Sequence, residues 1–165
     1  MLFRSGSVWA TKRWPYYVDL ATRLSGGFRV VVVGGRDDTP LAASIVRATA
    51  GRAIDATGRL SLLASACLLG RTSVLVTNDS APLHLASAMN TPTIALFGPT
   101  VPGLGFGPLA DGSSIAQADT LACRPCDAHG PQACPLVHWR CMRDLTISHV
   151  LDVVQQVRPN LMLPL

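Results

Sequence analysis

Asp79, Ser80 and His84 sit where an apolar run, Ser73 to Val76, gives way to a helical pattern, Ala81 to Met89. A buried strand, a polar turn and a fresh helix would aim a carboxylate, a hydroxyl, the Ala81 amide and an imidazole at one spot. The first N–H groups of a helix have no intrahelical partner and the macrodipole is positive there, so such a spot attracts anions. The same residues also suit a plain helix start with Ser80 or Asp79 as N-cap, and the local sequence leaves both readings open. One constraint separates the roles. A carboxylate 4 Å from a phosphate costs about 1 kcal/mol even in water, so beside a bound phosphate Asp79 should face hydroxyl groups instead. Phosphate donors next to a hydroxyl acceptor suit a nucleotide-sugar.

Other residues could join this chemistry. Lys12 and Arg13 precede Trp14-Pro15, which suits a helix start; they read as a phosphate clamp or as a solvated basic pair. Asp37 and Asp38 follow a β-branched run and Gly34-Gly35, where an acid can hold ribose hydroxyls or cap a helix. Gly34-Gly35 is not a G-x-G-x-x-G fingerprint, so a nicotinamide dinucleotide is poorly supported. His84 lies one turn beyond Ser80; a lone histidine is also compatible with a packed, hydrogen-bonded role. Cys123, Cys126, Cys134 and Cys141, with His129 and His138 among them, have the residue types of a structural zinc site. The first pair forms a C-x-x-C knuckle; the second is irregularly spaced, and a reduced cysteine-rich loop is the competing reading. Cys67 falls in an apolar helix and reads as core.

These residues need a scaffold. The 165 residues suffice for one domain with a proper core. The hydrophobic fraction is 48% against 15% charged, which suggests strands buried on both faces. The net charge of +4 is spread thinly and argues against a nucleic-acid partner. Neither a transmembrane run nor a signal-peptide core is present in the sequence, so a reducing cytoplasm is expected, where cysteines stay thiols or bind metal. Phe28 to Val33 reads as a central parallel strand, Ile54 as a short strand, and Ser73–Val76 and Thr93–Phe97 as two more. Helical patterns cover Tyr17 to Leu24, Pro40 to Ala50, Leu60 to Leu69 (buried through Leu62, Leu63, Ala66 and Leu69) and Ala81 to Met89. The alternation predicts a Rossmann-like, doubly wound α/β sheet, with ligands beyond the carboxyl ends of the strands. Asp37, Asp38, Thr57, Asp79 and Thr100 all lie at such ends. A cysteine-rich loop, 121–141, and a closing helix, 146–158, complete the domain. No strand is read before the Trp9–Tyr17 segment.

Four segments together resemble one family. They are Gly6 to Pro15 with its Thr-Lys-Arg-Trp-Pro, Thr57-Gly58-Arg59-Leu60-Ser61-Leu62, Asn78 to His84, and Leu96-Phe97-Gly98-Pro99-Thr100-x-Pro102. In this order they resemble the C-terminal half of the ADP-heptose:lipopolysaccharide heptosyltransferases, glycosyltransferase family 9. The loop ending Cys141-Met142-Arg143-Asp144 is similar to heptosyltransferase II tails. The resemblance implies the C-terminal, donor-binding domain of a GT-B enzyme, with the N-terminal acceptor domain absent from this chain. It implies that Lys12 contacts the diphosphate, with Ser7, Ser80 and the Ala81 amide around it. Asp38, or Asp37, would hold the ribose, Leu60 would border the adenine, Asp79 would bind heptose hydroxyls, and His84 would lie near the sugar-phosphate. Where the family usually has glycine this chain has Ala81, whose methyl crowds the phosphate while keeping the amide.

The implied reaction is inverting transfer of heptose from ADP-heptose to the lipopolysaccharide inner core. It needs no cofactor and no catalytic metal, and the base belongs to the missing half, so no catalytic residue is assigned here. The isolated chain is then expected to bind donor without turnover. It would work in the cytoplasm or at the inner face of the inner membrane, with a partner chain or self-association at the exposed domain interface. Two other functions stay open: a noncatalytic module with a zinc- or partner-binding cysteine loop, and a transferase for another nucleotide-sugar.

Overall fold

The computed structural model describes residues 1–4, 9–118 and 121–158. Six strands form one sheet: β1 (Leu2–Arg4), β2 (Val31–Val32), β3 (Ile54–Asp55), β4 (Leu75–Asn78), β5 (Thr93–Phe97) and β6 (Ser114–Gln117). Their spatial order is β3-β2-β1-β4-β5-β6 and every pairing is parallel. The chain winds outward from β1 to β3, then crosses back to place β4 on the other side of β1. In such sheets the crevice at the reversal, here between β1 and β4, is where ligands bind.

Six helices flank the sheet: α1 (Tyr17–Leu24), α2 (Thr39–Ala48), α3 (Leu62–Gly70), α4 (Ala81–Ala88), α5 (Arg140–Arg143) and α6 (Ile147–Val157). The alternating side chains of the central strands divide between two cores. Val74, Val76, Ile94 and Leu96 join the core under α1, α2 and α6. Leu75 packs with Leu69 and Ala86 under α3 and α4, and Ala95 and Phe97 pack with Leu83 of α4. Burial on both faces is why these strands read as unbroken apolar runs. In α1, Tyr17, Leu20, Ala21 and Leu24 are fully buried, the i, i+3, i+4, i+7 stripe of a helix with one inner face. Ser61 and Thr146 cap α3 and α6 by accepting from the Ala64 and His149 amides at 3.2 and 3.3 Å.

Several sequence expectations need correction. A strand does precede the Trp9–Tyr17 segment: β1 is short and lies at the sheet centre, paired with β2 and β4. The strand read over Phe28 to Val33 shrinks to β2, second from the edge rather than central. β6 was missed because Ser114–Gln117 is an edge strand whose faces alternate only weakly. In α3, Leu62 and Leu63 are 68% and 82% exposed, and Leu69 is its one buried residue. That helix is apolar nearly all round, so spacing could not select its inner face; Leu62, Ser65 and Leu69 in fact line one groove. Cys67, two residues before Leu69, points the other way and is exposed, not core. Cys67→Ala should therefore change unfolding free energy by no more than about 0.5 kcal/mol, measured by urea denaturation. Among the described residues no helix is long and apolar enough to cross a membrane.

Candidate functional site

Lys12 closes a 3-10 turn, Ala10–Lys12, and its Nζ donates to Asp79 Oδ2 at 2.6 Å. Thr100 Oγ1 donates to the same oxygen at 2.7 Å. The lysine and aspartate side chains are 8% and 5% exposed, so this is a buried ion pair at the carboxyl ends of β4 and β5. Asn78, the last residue of β4, holds the neighbouring segment. Its Oδ1 accepts from the Trp14 N–H at 3.2 Å and the Tyr17 hydroxyl at 3.1 Å. Trp14 is itself buried and donates through Nε1 to the Leu145 carbonyl at 2.8 Å. The fold thus brings Lys12 and Asp79 together, with Asp79 engaged by Lys12 and Thr100 rather than presented alone.

α4 begins beside this pair. Ser80 occupies the N-cap position with extended backbone, but its side chain does not cap the helix; Oγ donates to the Asn78 carbonyl at 3.2 Å. Pro82 has no N–H, and the Leu83 N–H is spent on the Ser80 carbonyl at 2.9 Å. Ala81 is exposed at the helix start. His84 is also exposed, which sets aside its reading as a packed residue; its ring meets Phe106 edge-on, with centroids 6.3 Å apart. Phe106 in turn lies 6.1 Å from the His129 ring. Ser7 lies outside the described residues.

Across the reversal, at the end of β2, a groove of about 210 Å³ opens between Gly34-Gly35, Leu60, the α3 face of Leu62 and Ser65, and Pro82 of α4. It is smaller than the roughly 300–1,000 Å³ of drug-sized pockets, a size for one ring system of a larger ligand. Leu60 lines it. Asp38 lies at its rim, where Oδ2 accepts from the Gly35 N–H at 2.9 Å. A Cβ on Gly34 would stand 2.2 Å from that same oxygen, which explains glycine there. Asp37 is exposed. Thr57 is buried and donates through Oγ1 to Asp55 Oδ1 at 2.6 Å. That hydroxyl, helped by the Thr57 N–H and Arg59, holds the Asp55 carboxyl below its ordinary range.

The cysteine loop packs against the same strand ends. Cys126 N–H donates to the Pro99 carbonyl at 2.8 Å, and Trp139 Nε1 to the Thr11 carbonyl at 2.8 Å. The Thr11 hydroxyl donates to the Pro131 carbonyl. Arg124 reaches the Thr100 carbonyl at 2.9 Å and Gln117 Oε1 at 3.1 Å. A Cβ on Gly130, whose φ is +85°, would lie 3.1 Å from both Lys12 Cε and Pro99 Cγ. Burial lowers the Arg124 guanidinium from its ordinary value, and burial with neighbouring thiols pushes Cys141 up to about 11.

The sequence profile of glycosyltransferase family 9 (heptosyltransferase) matches residues 1–134. This chain is a member of glycosyltransferase family 9. Lipooligosaccharide heptosyltransferase 2 of Haemophilus influenzae is 35% identical over 113 residues, 64% of this chain and 32% of the relative. Lipopolysaccharide heptosyltransferase 1 of Pseudomonas aeruginosa is 34% identical over 137 residues, 76% of this chain and 36% of the relative. The structure of E. coli ADP-heptose lps heptosyltransferase II aligns with a TM-score of 0.75 and 26% identity, over 94% of this chain and 45% of that one. The chain therefore spans less than half the length of each of these relatives.

Within the family 9 framework, three contributors had escaped selection as site residues. Thr100 was visible as a polar residue at a strand end and in the Leu96–Pro102 segment, but without an assigned role. Arg124 was hidden among cysteines, and Gly130 had no signal short of its positive φ. The groove residue Ser65 could have been found by placing the Leu62-Ser65-Leu69 face inward, but the surrounding leucines masked it.

Proposed function

We propose that this family 9 chain is the donor-binding domain of a heptosyltransferase, taking ADP-heptose or a closely similar nucleotide-sugar. The observation that supports it most is the Lys12–Asp79–Thr100 cluster lying across the sheet reversal from the Leu60 groove. That separation suits a ligand with a flat base at one end and a diphosphate-linked sugar at the other. The base enters the groove and the ribose meets Asp38, whose carboxylate has acceptor capacity beyond its bond to Gly35. The diphosphate meets Lys12 and the α4 start, including Ser80 and the Ala81 amide.

Asp79 does two jobs in this reading. An ammonium has three N–H donors; one holds Asp79 Oδ2 and the others serve phosphate oxygens. The paired carboxylate no longer repels the diphosphate as a free charge would, and its other oxygen takes a sugar hydroxyl. As the sugar departs, negative charge grows on the diphosphate, and fixed donors there stabilise the transition state more than the ground state. His84 stands at the exposed edge of α4, near the sugar-phosphate. Transfer to a lipopolysaccharide core hydroxyl requires a base and an acceptor site from another domain, so this chain alone binds donor and turns over none.

Calorimetry with ADP, against UDP and GDP, tests the reading. Binding in the micromolar-to-millimolar range with preference for ADP is expected, and a folded sample that binds none of the three overturns it. Ser65→Trp should fill the groove and abolish that binding while shifting stability by no more than about 0.5 kcal/mol, since the site is half-buried. Binding unchanged by the tryptophan would place the base elsewhere.

A further inference from the structure

Cys123, Cys126, Cys134 and Cys141 come from two separately anchored pieces of chain, yet with His138 they line one cavity of about 230 Å³. The first piece is fixed to the sheet by Arg124 and by the Cys126 N–H on the Pro99 carbonyl. The second is fixed by Trp139 on the Thr11 carbonyl. Its turn closes on Cys134: the Val137 N–H donates to the Cys134 carbonyl at 2.9 Å and the Trp139 N–H to Cys134 Sγ at 3.4 Å. The bend forces two side-chain-bearing residues into the left-handed region, Val137 at φ +61° and Trp139 at +50°. A β-branched residue there is a genuine outlier, and such strain costs of order 1–3 kcal/mol and gathers at functional positions. Trp139 packs against the core, but at Val137 core burial does not offset the strain, because Leu136 and Val137 are 59% and 85% exposed.

We infer that this cavity is a structural site for a thiophilic divalent ion, bound tetrahedrally by the Cys123, Cys126, Cys134 and Cys141 thiolates. Four sulfurs, two of them from one C-x-x-C knuckle, are the donor set zinc takes in closed structural sites. The Trp139 N–H on Cys134 Sγ is the kind of outer partner that orients a ligand and disperses thiolate charge. His138, with Nε2 4.0 Å from Cys123 Sγ, stands beside the ligands. As the side chains lie, no three of the described Cys, His, Asp or Glu residues share an ion position. The Cys126 thiol instead donates to the Cys123 carbonyl at 3.3 Å. Loading therefore turns the thiols inward and releases their protons to solvent, with the two backbone pieces already in place. The ion would staple the loop whose Gly130 covers Lys12 and whose Arg124 holds Thr100.

The full chain, reduced and stripped with a chelator, is titrated with Co²⁺ and then Zn²⁺. The expected result is one Co²⁺ per chain with the visible bands of a tetrahedral thiolate complex, displaced by one Zn²⁺. Of the five thiols, only exposed Cys67 should then react with a thiol reagent. Cys134→Ser should weaken Co²⁺ binding by at least the roughly 10- to 100-fold that loss of an outer partner costs, while Cys67→Ser leaves it unchanged. The melting temperature of metal-free Cys134→Ser should match the metal-free parent, which shows that the variant folds. Fewer than one ion per chain, an octahedral spectrum, a Cys123–Cys126 disulfide in place of metal, or five reactive thiols at saturating Zn²⁺ overturns the assignment.

Discussion

Lys12→Ala should cost the fold about 3–5 kcal/mol and, where the variant still folds, weaken ADP binding by roughly 10- to 100-fold or more. The first effect comes from what is left behind. Asp79 is 4% exposed and shares one oxygen between Lys12 and Thr100. Without the ammonium a buried carboxylate keeps a single hydroxyl donor, and an uncompensated buried charge is far more costly than the pair was worth. The second effect follows from losing hydrogen bonds to a charged group, about 1.5–3 kcal/mol each. The two separate in a double variant. Lys12→Met with Asp79→Leu replaces both charges by apolar groups of similar bulk, which is often neutral for stability. It should recover most of the lost unfolding free energy in urea denaturation while ADP binding stays absent in calorimetry. A double variant that binds ADP like the parent would remove Lys12 from the donor site. One as unstable as Lys12→Ala would mean that the carboxylate was never the source of the loss.

The contrast between what the sequence disclosed and what it hid has a physical pattern. Strands buried on both faces, such as Thr93–Phe97, announce themselves as apolar runs, and α1 shows a clean stripe ending at Leu24. The Asp79–Ser80–Ala81 turn was legible because a strand–turn–helix junction constrains where those groups go. β1 was not, since three residues, one of them Arg4, are too few to give a periodic signal; its neighbours β2 and β4 supply the hydrogen bonds. α3 failed for the opposite reason: apolar residues on every side leave no moment to orient it, so the groove face at Ser65 and the outward Cys67 were both misread. Lys12 was found as a cation, but its engagement with Asp79 depends on the fold bringing together residues 67 positions apart. Tertiary pairing of that kind is not encoded in spacing.

Trp14→Ala should destabilise the domain by about 3–5 kcal/mol, with the cost reaching the proposed donor site as well as the core. The indole is 2% exposed and meets Tyr16 and Tyr17 edge-on, with centroids 5.5 and 5.3 Å away. Truncation opens a cavity between α1 and the strands and strips the Leu145 carbonyl of its 2.8 Å donor. Trp14→Phe keeps most of the ring volume but not that donor, so it should cost less, about 1–3 kcal/mol for an unsatisfied buried carbonyl. The order alanine worse than phenylalanine worse than wild type, read from urea midpoints at constant slope, separates packing from hydrogen bonding. The main chain at Trp14 still donates to Asn78 Oδ1 in both variants, so the segment behind Lys12 keeps one of its anchors. Trp14→Phe should therefore retain ADP binding within a few fold of wild type while losing stability. If instead its affinity falls as far as that of Lys12→Ala, then the indole, not the Asn78 contact, is what holds Lys12 beside Asp79.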